Sequence, residues 1–184
     1  MADHPRPSLS QSVDSVETYG ATELSEANRI VLMPVDGSEH SERAFTWYLE
    51  NVLRPGDGLC LVHIVEPMSP GVNYGIASKS PALKEEFSRQ INKLLETGKL
   101  LRTKFITRCE SLEVPARFTI HMGTKPGEHI VRLAQEHGAH MIVVGNRGIG
   151  TVRRTFLGSV SDYILHNANV PVVIVPPPKT SKKK

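Results

Sequence analysis

The chain has 184 residues, of which 39% are apolar and 22% charged, the composition of an ordinary folded domain. Its 22 basic residues face 19 acidic ones, but four lysines lie in the final KTSKKK; without them the balance is 18 against 19, so we expect no nucleic-acid partner. The two cysteines are too few for a disulfide framework, no apolar run reaches the roughly 18 residues of a membrane span, and the N-terminus lacks a signal-peptide pattern, so we expect a cytoplasmic protein without a membrane segment.

The first half of the chain alternates between strand and helix patterns. Residues 1–28 are rich in Ser, Thr, Glu and Pro without a hydrophobic period, which predicts a flexible N-terminal extension. A short apolar run at residues 29–35 predicts a buried strand, and Ser38 suits the N-cap of the helix that follows it. A turn then leads to a second strand at residues 59–65, and a loop precedes a long amphipathic helix at about residues 81–111.

The second half continues this alternation. Pro126 suits the first turn of a helix that Gly138 would end, and a further helix is expected to begin at Gly158-Ser159 and to end near Asn167. The remaining predicted strands are residues 114–121, 141–145 and 170–175. A folded body at residues 29–176 and a basic tail at residues 177–184 complete the predicted organisation.

Strand and helix in regular alternation predict an α/β fold: an open, doubly wound, five-stranded parallel sheet with helices on both faces. The strands are apolar along nearly their whole length, as expected where both faces of a sheet are covered. In such folds ligands bind at the carboxyl ends of the strands, where the strand order reverses.

Two glycine-containing segments follow the fourth predicted strand. Gly145 and Gly148 come directly after it, and Gly158 with Ser159 opens the next helix. Glycines allow sharp turns and a close approach to a ligand, while the free N–H groups at a helix start attract anions. Residues 145–161 contain three arginines and no acidic residue. Together these features predict a phosphate site, although any one of these residues alone is as well explained by a turn or an N-cap.

Asp36 ends the first predicted strand, and two roles are open for it. A carboxylate there can accept from ribose hydroxyls or hold a divalent cation against phosphates. The same Asp-Gly pair is also a common turn, and local sequence does not separate the two readings. Ile64, at the end of the second predicted strand, could pair its main chain with the edge of a base.

The spacing Gly-x2-Gly-x9-Gly-Ser, carried by Gly145, Gly148, Gly158 and Ser159, resembles the ATP-binding signature of the universal stress protein family. The segments VLMPVDGSEHSERA and LVHIVEP resemble that family too, and the likeness spans about residues 28–176. The resemblance implies a Rossmann-like fold of the adenine nucleotide alpha hydrolase type. It also implies a homodimer that pairs the last strand, residues 170–175, across a twofold axis.

The resemblance further implies an adenine-nucleotide site with ATP, ADP or AMP across the carboxyl ends of the strands, and with Mg²⁺ as a possible bridge between Asp36 and the phosphates. Pro34, Val35 and Asp36 would line the base and ribose, Ile64 would meet adenine, and Val144 and Gly145 would flank the ribose. The residues implied to surround the phosphates are Asn146, Arg147, Gly148, Leu157, Gly158, Ser159, Val160 and Ser161.

Several catalytic patterns are missing from the sequence. It has no phosphate loop of the Walker type, no dinucleotide fingerprint after the first strand and no Gly-x-Ser-x-Gly elbow. The histidines lack metal-ligand spacing, and Cys60 and Cys109 are expected to be buried thiols. We therefore expect a nucleotide-binding stress-response module with weak ATPase activity at most. The alternatives are a slow ATP hydrolase using Asp36 and Arg147, and a dimeric interaction module with a vestigial pocket.

Overall fold

One six-stranded sheet organises the part of the chain that the computed structural model describes, namely residues 17–19, 24–66, 81–146 and 157–178. Its strands are β1 (Glu17–Tyr19), β2 (Arg29–Pro34), β3 (Asp57–Val65), β4 (Ala116–Met122), β5 (Met141–Gly145) and β6 (Val172–Val175). The described helices are α1 (Glu39–Asn51), α2 (Pro81–Glu110), α3 (Pro126–Glu136) and α4 (Ser159–Asn167), with a short 3₁₀ helix at Leu24–Glu26.

The strand order is β1-β4-β3-β2-β5-β6, and β2 to β6 all run parallel. This confirms the predicted five-stranded parallel sheet. The chain passes from β2 through α1 to β3 on one side and from β5 through α4 to β6 on the other. The strand order therefore reverses between β2 and β5, which is where a doubly wound fold opens a crevice.

Strand β1 is an addition that the sequence patterns do not predict. It pairs antiparallel with β4, within the segment that we expected to be a flexible extension. Leu24, also in that segment, is 5% exposed and packs on the sheet, where Gly58 leaves room for its side chain. A three-residue strand held by backbone hydrogen bonds and a single buried leucine give no hydrophobic period, so sequence reasoning had no signal for either.

Helices cover both faces of the sheet, as predicted. On β2, Val31 and Met33 point to one face, where α1 and α2 bring Phe45 and Phe105. Leu32 points to the opposite face, where α3 and α4 supply Ile130, Leu133 and Ile164. Alternate residues of one strand thus contribute to two separate cores, which explains why the strands are apolar at nearly every position.

The helix boundaries follow from local chemistry. Ser38 is the N-cap of α1, and its side chain accepts from the backbone N–H of Ser41, as predicted. Pro126 occupies the first turn of α3, where its missing N–H costs nothing, and Gly138 follows the helix with φ +60°. None of the described helices combines the length and the apolarity that crossing a bilayer requires.

A buried ion pair fixes the amino-terminal ends of β2 and β3 to α1. Arg29 donates to both carboxylate oxygens of Asp57, at 2.8 and 2.6 Å, and Tyr48 donates its hydroxyl to the same carboxylate. Burial alone would raise the pKa of Asp57, but the hydrogen bonds from Arg29 and Tyr48 outweigh it and hold that pKa below its usual value. The network locks the register of the two central strands at the end opposite the crevice.

Candidate functional site

A cavity of about 310 Å³ lies at the carboxyl ends of β2, β3 and β5, where the strand order reverses. Its volume is at the lower end of the range for small-molecule sites, about 300–1,000 Å³. Of the residues that the sequence singled out, ten line this one cavity: Pro34, Val35, Asp36, Ile64, Val144, Gly145, Gly158, Ser159, Val160 and Ser161. The chain brings these residues together from four separate segments.

The other predicted site residues either do not line the cavity or are not among the described residues. Asn146 is buried and follows the cavity-lining Gly145 without lining the cavity itself, and its backbone N–H donates to the carbonyl of Val175 at 2.9 Å. Leu157 precedes Gly158 and is half-buried. Arg147 and Gly148 fall outside the described residues, so their predicted contacts with phosphate remain predictions.

The described helices that border the cavity all point their amino-terminal ends at it. Ser38, His40 and Ser41 of α1, Pro126 of α3, and residues 158–161 at the start of α4 form its rim. This convergence follows from the topology, because every helix after a parallel strand begins at the carboxyl edge of the sheet. Unpaired N–H groups and the helix dipoles make that edge electropositive, and each dipole favours an anion by about 0.3–1 kcal/mol.

Gly145 packs directly against the backbone of α1. A Cβ at this position would lie 2.2 Å from the carbonyl oxygen of His40 and 2.6 Å from its carbon, far inside van der Waals contact. From the sequence alone, a turn or a close approach to a ligand explains this glycine. The structure adds a different reason for it: the backbone of α1 occupies the space that a side chain would need.

Gly158 differs from Gly145 in this respect. Among the described residues, a Cβ there would meet only the Ser161 hydroxyl oxygen, at 3.7 Å, which is ordinary contact. Gly158 is the N-cap of α4 and makes no side-chain capping bond. Ser159 is therefore the first residue of the helix and not its N-cap. Ser161 is buried and donates its hydroxyl to the Gly158 carbonyl at 2.9 Å, which leaves its oxygen as an acceptor. As far as the described residues are concerned, the space over Gly158 is therefore open, and Gly158 lines the cavity.

Of the two roles that the sequence left open for Asp36, the structure shows the turn role, and the ligand role stays a prediction. Its Oδ1 accepts from the backbone N–H of Ser38 at 3.1 Å and from the Ser38 hydroxyl at 2.6 Å, so it organises the turn into α1. It is also exposed at the cavity rim. Within the described residues, no group of three or more His, Cys, Asp or Glu could hold a metal. Asp36 fits Mg²⁺ only as one carboxylate beside ligand phosphates and water.

His63 lies behind the floor of the cavity and holds the backbone at the end of β2. Its Nδ1 is 2.7 Å from the carbonyl oxygen of Val35, so Nδ1 carries the proton. Burial lowers the pKa of His63 below its usual value, while the Val35 carbonyl and the charge of Asp36 only partly oppose that shift. The imidazole is thus a neutral support for the segment that carries Asp36.

Sequence reasoning missed several cavity residues. Ser38, His40 and Ser41 in the first turn of α1 were treated as a helix start, although every helix start in this fold faces the ligand edge. Val62 lies two residues before Ile64 on β3 and lines the same cavity, as strand alternation would have indicated. The predicted burial of Cys60 and Cys109 is confirmed, and both thiols are free.

A parallel sheet with helices on both faces and a cavity at its switch point defines the class of doubly wound α/β proteins. Within that class the chain belongs to the universal stress protein family, whose profile matches residues 27–176. A universal stress protein of Thermus aquaticus is 29% identical over 147 residues, covering 80% of this chain and 98% of the relative. Universal stress protein MJ0577 of Methanocaldococcus jannaschii is 26% identical over 152 residues, covering 79% and 93%.

Solved structures share the fold. The structure of MJ0577 superposes with a TM-score of 0.67 at 23% identity, covering 83% of this chain and 98% of that one. A universal stress protein family protein of Arabidopsis thaliana, solved with AMP bound, gives a TM-score of 0.61 at 22% identity and covers 84% and 97%.

The contrast between the two glycines gives a first prediction. Gly145→Ala should lower the free energy of unfolding by about 2–3 kcal/mol, because backbone atoms of α1 must move. Gly158→Ala should cost no more than about 1 kcal/mol, the price of a poorer N-cap. Urea unfolding of both variants measures the difference; equal losses would contradict the packing role of Gly145.

The buried His63 and the half-buried His137 predict that the fold is sensitive to acid. Burial lowers the pKa of His63 and of His137 in the folded chain, and the Arg117 charge lowers that of His137 further. The unfolded chain therefore takes up protons near pH 6.5, whereas the folded chain takes them up only at lower pH. The stability that these groups contribute is fully present above about pH 6.5 and declines below it, by at most about 1.4 kcal/mol per pH unit for each.

Urea unfolding at pH 7.5, 6.5 and 5.5 tests this prediction. The side chain introduced by His63→Asn keeps a donor near Val35 but does not titrate. The free energy of unfolding of this variant should therefore depend less on pH than that of the native chain. An unchanged slope in that variant would rule out the contribution of His63.

Proposed function

We propose that this protein binds adenine nucleotides, ATP among them, in the cavity at the carboxyl ends of β2, β3 and β5, and that occupancy switches its state or partners in a stress response. One observation carries the proposal: three helix starts and a strand-end glycine converge on a cavity of small-molecule size. An anionic, partly apolar ligand satisfies that arrangement better than a neutral or cationic one.

The cavity walls suggest how such a ligand would lie. Val62, Ile64 and Ile130 form an apolar wall suited to a base, and Asp36 offers a carboxylate to ribose hydroxyls. Residues 158–161 offer backbone N–H groups to phosphates, and Gly158 leaves them uncovered. The AMP bound to the Arabidopsis relative supports an adenine nucleotide over other anions. Asp36 would contribute one ligand to a Mg²⁺ ion carried by the phosphates.

A binding module accounts for the described site better than a dedicated enzyme. The Ser161 hydroxyl is already donated to the Gly158 carbonyl, and His63 is turned to the Val35 carbonyl, so neither is poised as nucleophile or base. The buried free thiols Cys60 and Cys109 fit the reducing cytoplasm that we propose as its location.

Titration calorimetry and thermal unfolding with ATP, ADP, AMP and GTP test the proposal. At a hundredfold excess over its Kd, ATP should stabilise the fold by about 2.7 kcal/mol. Gly158→Val, which places a branched side chain in the open space above α4, should weaken ATP binding at least tenfold. The free energy of unfolding of the Gly158→Val variant should fall by only about 1 kcal/mol, the effect of a less favourable N-cap residue.

Asn169→Val is the matched control. It adds the same side chain at an exposed position beyond the other end of α4, away from the cavity, and should leave affinity unchanged. If no nucleotide gives heat in calorimetry or stabilises the fold, nucleotide binding is wrong. That result would favour an interaction module with a vestigial pocket. Steady ATP turnover, lost in Asp36→Ala while binding persists, would instead favour the slow hydrolase.

We further propose that two copies pair through β6. Val172, Val173 and Ile174 remain half-buried on a strand that has a neighbour only in β5 among the described strands. The carbonyls of Pro171 and Val175 accept from β5, so by alternation the backbone groups of Val172 and Ile174 face away from the sheet. An apolar strand with an open edge is an aggregation hazard unless it is paired or covered.

Light scattering coupled to size-exclusion chromatography tests this pairing. The native chain should elute as a dimer, and Ile174→Pro, which removes an outward N–H, should shift it to the monomer. Ile174→Val keeps that N–H while trimming the side chain, and should remain dimeric. A monomeric native chain, or an unaffected Ile174→Pro dimer, would refute pairing through β6.

A further inference from the structure

The start of α1 carries two side chains, His40 and Arg43, that contact each other beside β5. His40 lines the cavity, and its side chain is 20% exposed. Arg43 reaches across to β5, where its Nη2 donates to the carbonyl oxygen of Asn146 at 2.8 Å. Neither residue has a part in the binding arrangement described so far.

The contact between these two side chains fixes the tautomer of His40. Both terminal nitrogens of Arg43 lie 3.3 Å from Nδ1 of His40. A guanidinium has only donors, so Nδ1 must accept, and the single proton of the neutral imidazole resides on Nε2. The nearest carboxylate to Nε2, that of Glu39, is 3.8 Å away and largely exposed, beyond a hydrogen bond.

The location of His40 indicates which part of a ligand it would meet. Its backbone lies against Gly145, on the β5 side of the cavity, where the glycine-containing segment begins and where α4 starts. Ile64, suited to the base, belongs to β3 on the other side of β2. A fixed N–H donor matches phosphate oxygens, which only accept, and the charge-assisted hydrogen bond so formed is among the strong ones.

We infer that His40 is a ligand-contacting residue that donates a hydrogen bond from Nε2 to a phosphate group of the bound nucleotide, and that Arg43 is the positioning residue that holds His40 in this tautomer. The inference rests on the proposed nucleotide binding. It adds a side-chain donor from α1 to the backbone N–H groups that residues 158–161 offer to phosphate. The acidic side chain beside His40 is that of Glu39, and two further acidic residues, Asp36 and Glu66, line the same cavity.

Two substitutions at His40 separate ligand contact from a merely structural role. His40→Gln keeps an N–H donor near the position of Nε2 but loses the acceptor at Nδ1. His40→Asn keeps an acceptor near Nδ1 for Arg43 but loses the donor at Nε2. Titration calorimetry with ATP and with adenosine, which has the same base and ribose but no phosphate, is run on both variants and on the native chain.

The inference expects His40→Asn to weaken ATP binding by about ten- to a hundredfold, the worth of one charge-assisted hydrogen bond, while adenosine binding stays at the native level. His40→Gln should retain most of the affinity for ATP. If His40→Asn binds ATP like the native chain, or if both ligands weaken equally in either variant, His40 does not contact phosphate. If the native chain binds neither ligand, nucleotide binding itself is wrong, a result distinct from the failure of His40 alone.

The role of Arg43 has its own signature. Long-range ¹H–¹⁵N correlation spectra of the nucleotide-free protein report which imidazole nitrogen carries the proton. His40 should show the Nε2–H tautomer in the native chain and a mixture of tautomers in Arg43→Met, in which the side chain keeps its length but has no donor. A native chain with the proton on Nδ1, or an unchanged tautomer in Arg43→Met, would overturn the assignment.

Discussion

The absence of a side chain at Gly145 is the constraint on which the site depends. It lets the first turn of α1 press against the end of β5, with the His40 carbonyl where a Cβ would otherwise be. That contact closes one side of the cavity and brings Arg43 within reach of the Asn146 carbonyl. Two strand ends that belong to different halves of the fold are thereby joined through one helix. Side-chain and backbone packing has to hold the two strand ends together at a topological switch point, because the chain does not connect these neighbouring strands directly.

The electrostatics of the cavity balance opposing contributions. Helix starts make the rim favourable for anions, whereas Asp36 and Glu66 add negative charge to the same rim. Ser38 donates two hydrogen bonds to one oxygen of Asp36, and these bonds stabilise the carboxylate without removing its charge. The negative charge suits hydroxyl groups or a phosphate-bound cation rather than a bare phosphate. A ligand with a sugar between its base and its anionic end fits that division of the surface.

Much of this arrangement was predictable from sequence, because it depends on hydrophobic period and on turn chemistry. The bounds of three elements were predicted closely. They are β5, from the apolar run at residues 141–145, the start of α1, from the N-cap Ser38, and the start of α3, from Pro126. What escaped prediction depends on contacts between distant segments. Arg43 and Asn146 are 103 residues apart, and no local pattern signals their bond. Likewise, the reason for Gly145 lies in α1, which sequence reasoning had not placed beside it.

Strand β1 has a consequence for how copies of this chain can meet. By hydrogen-bonding to β4, it occupies one border of the sheet and leaves β6 at the other. A border strand of only three residues offers few free backbone groups to another sheet, and very short border strands are one way in which proteins discourage pairing between sheets. The short N-terminal strand thus covers the middle of the β4 edge, at residues 118–120, and leaves in its place a border with little capacity for further strand pairing.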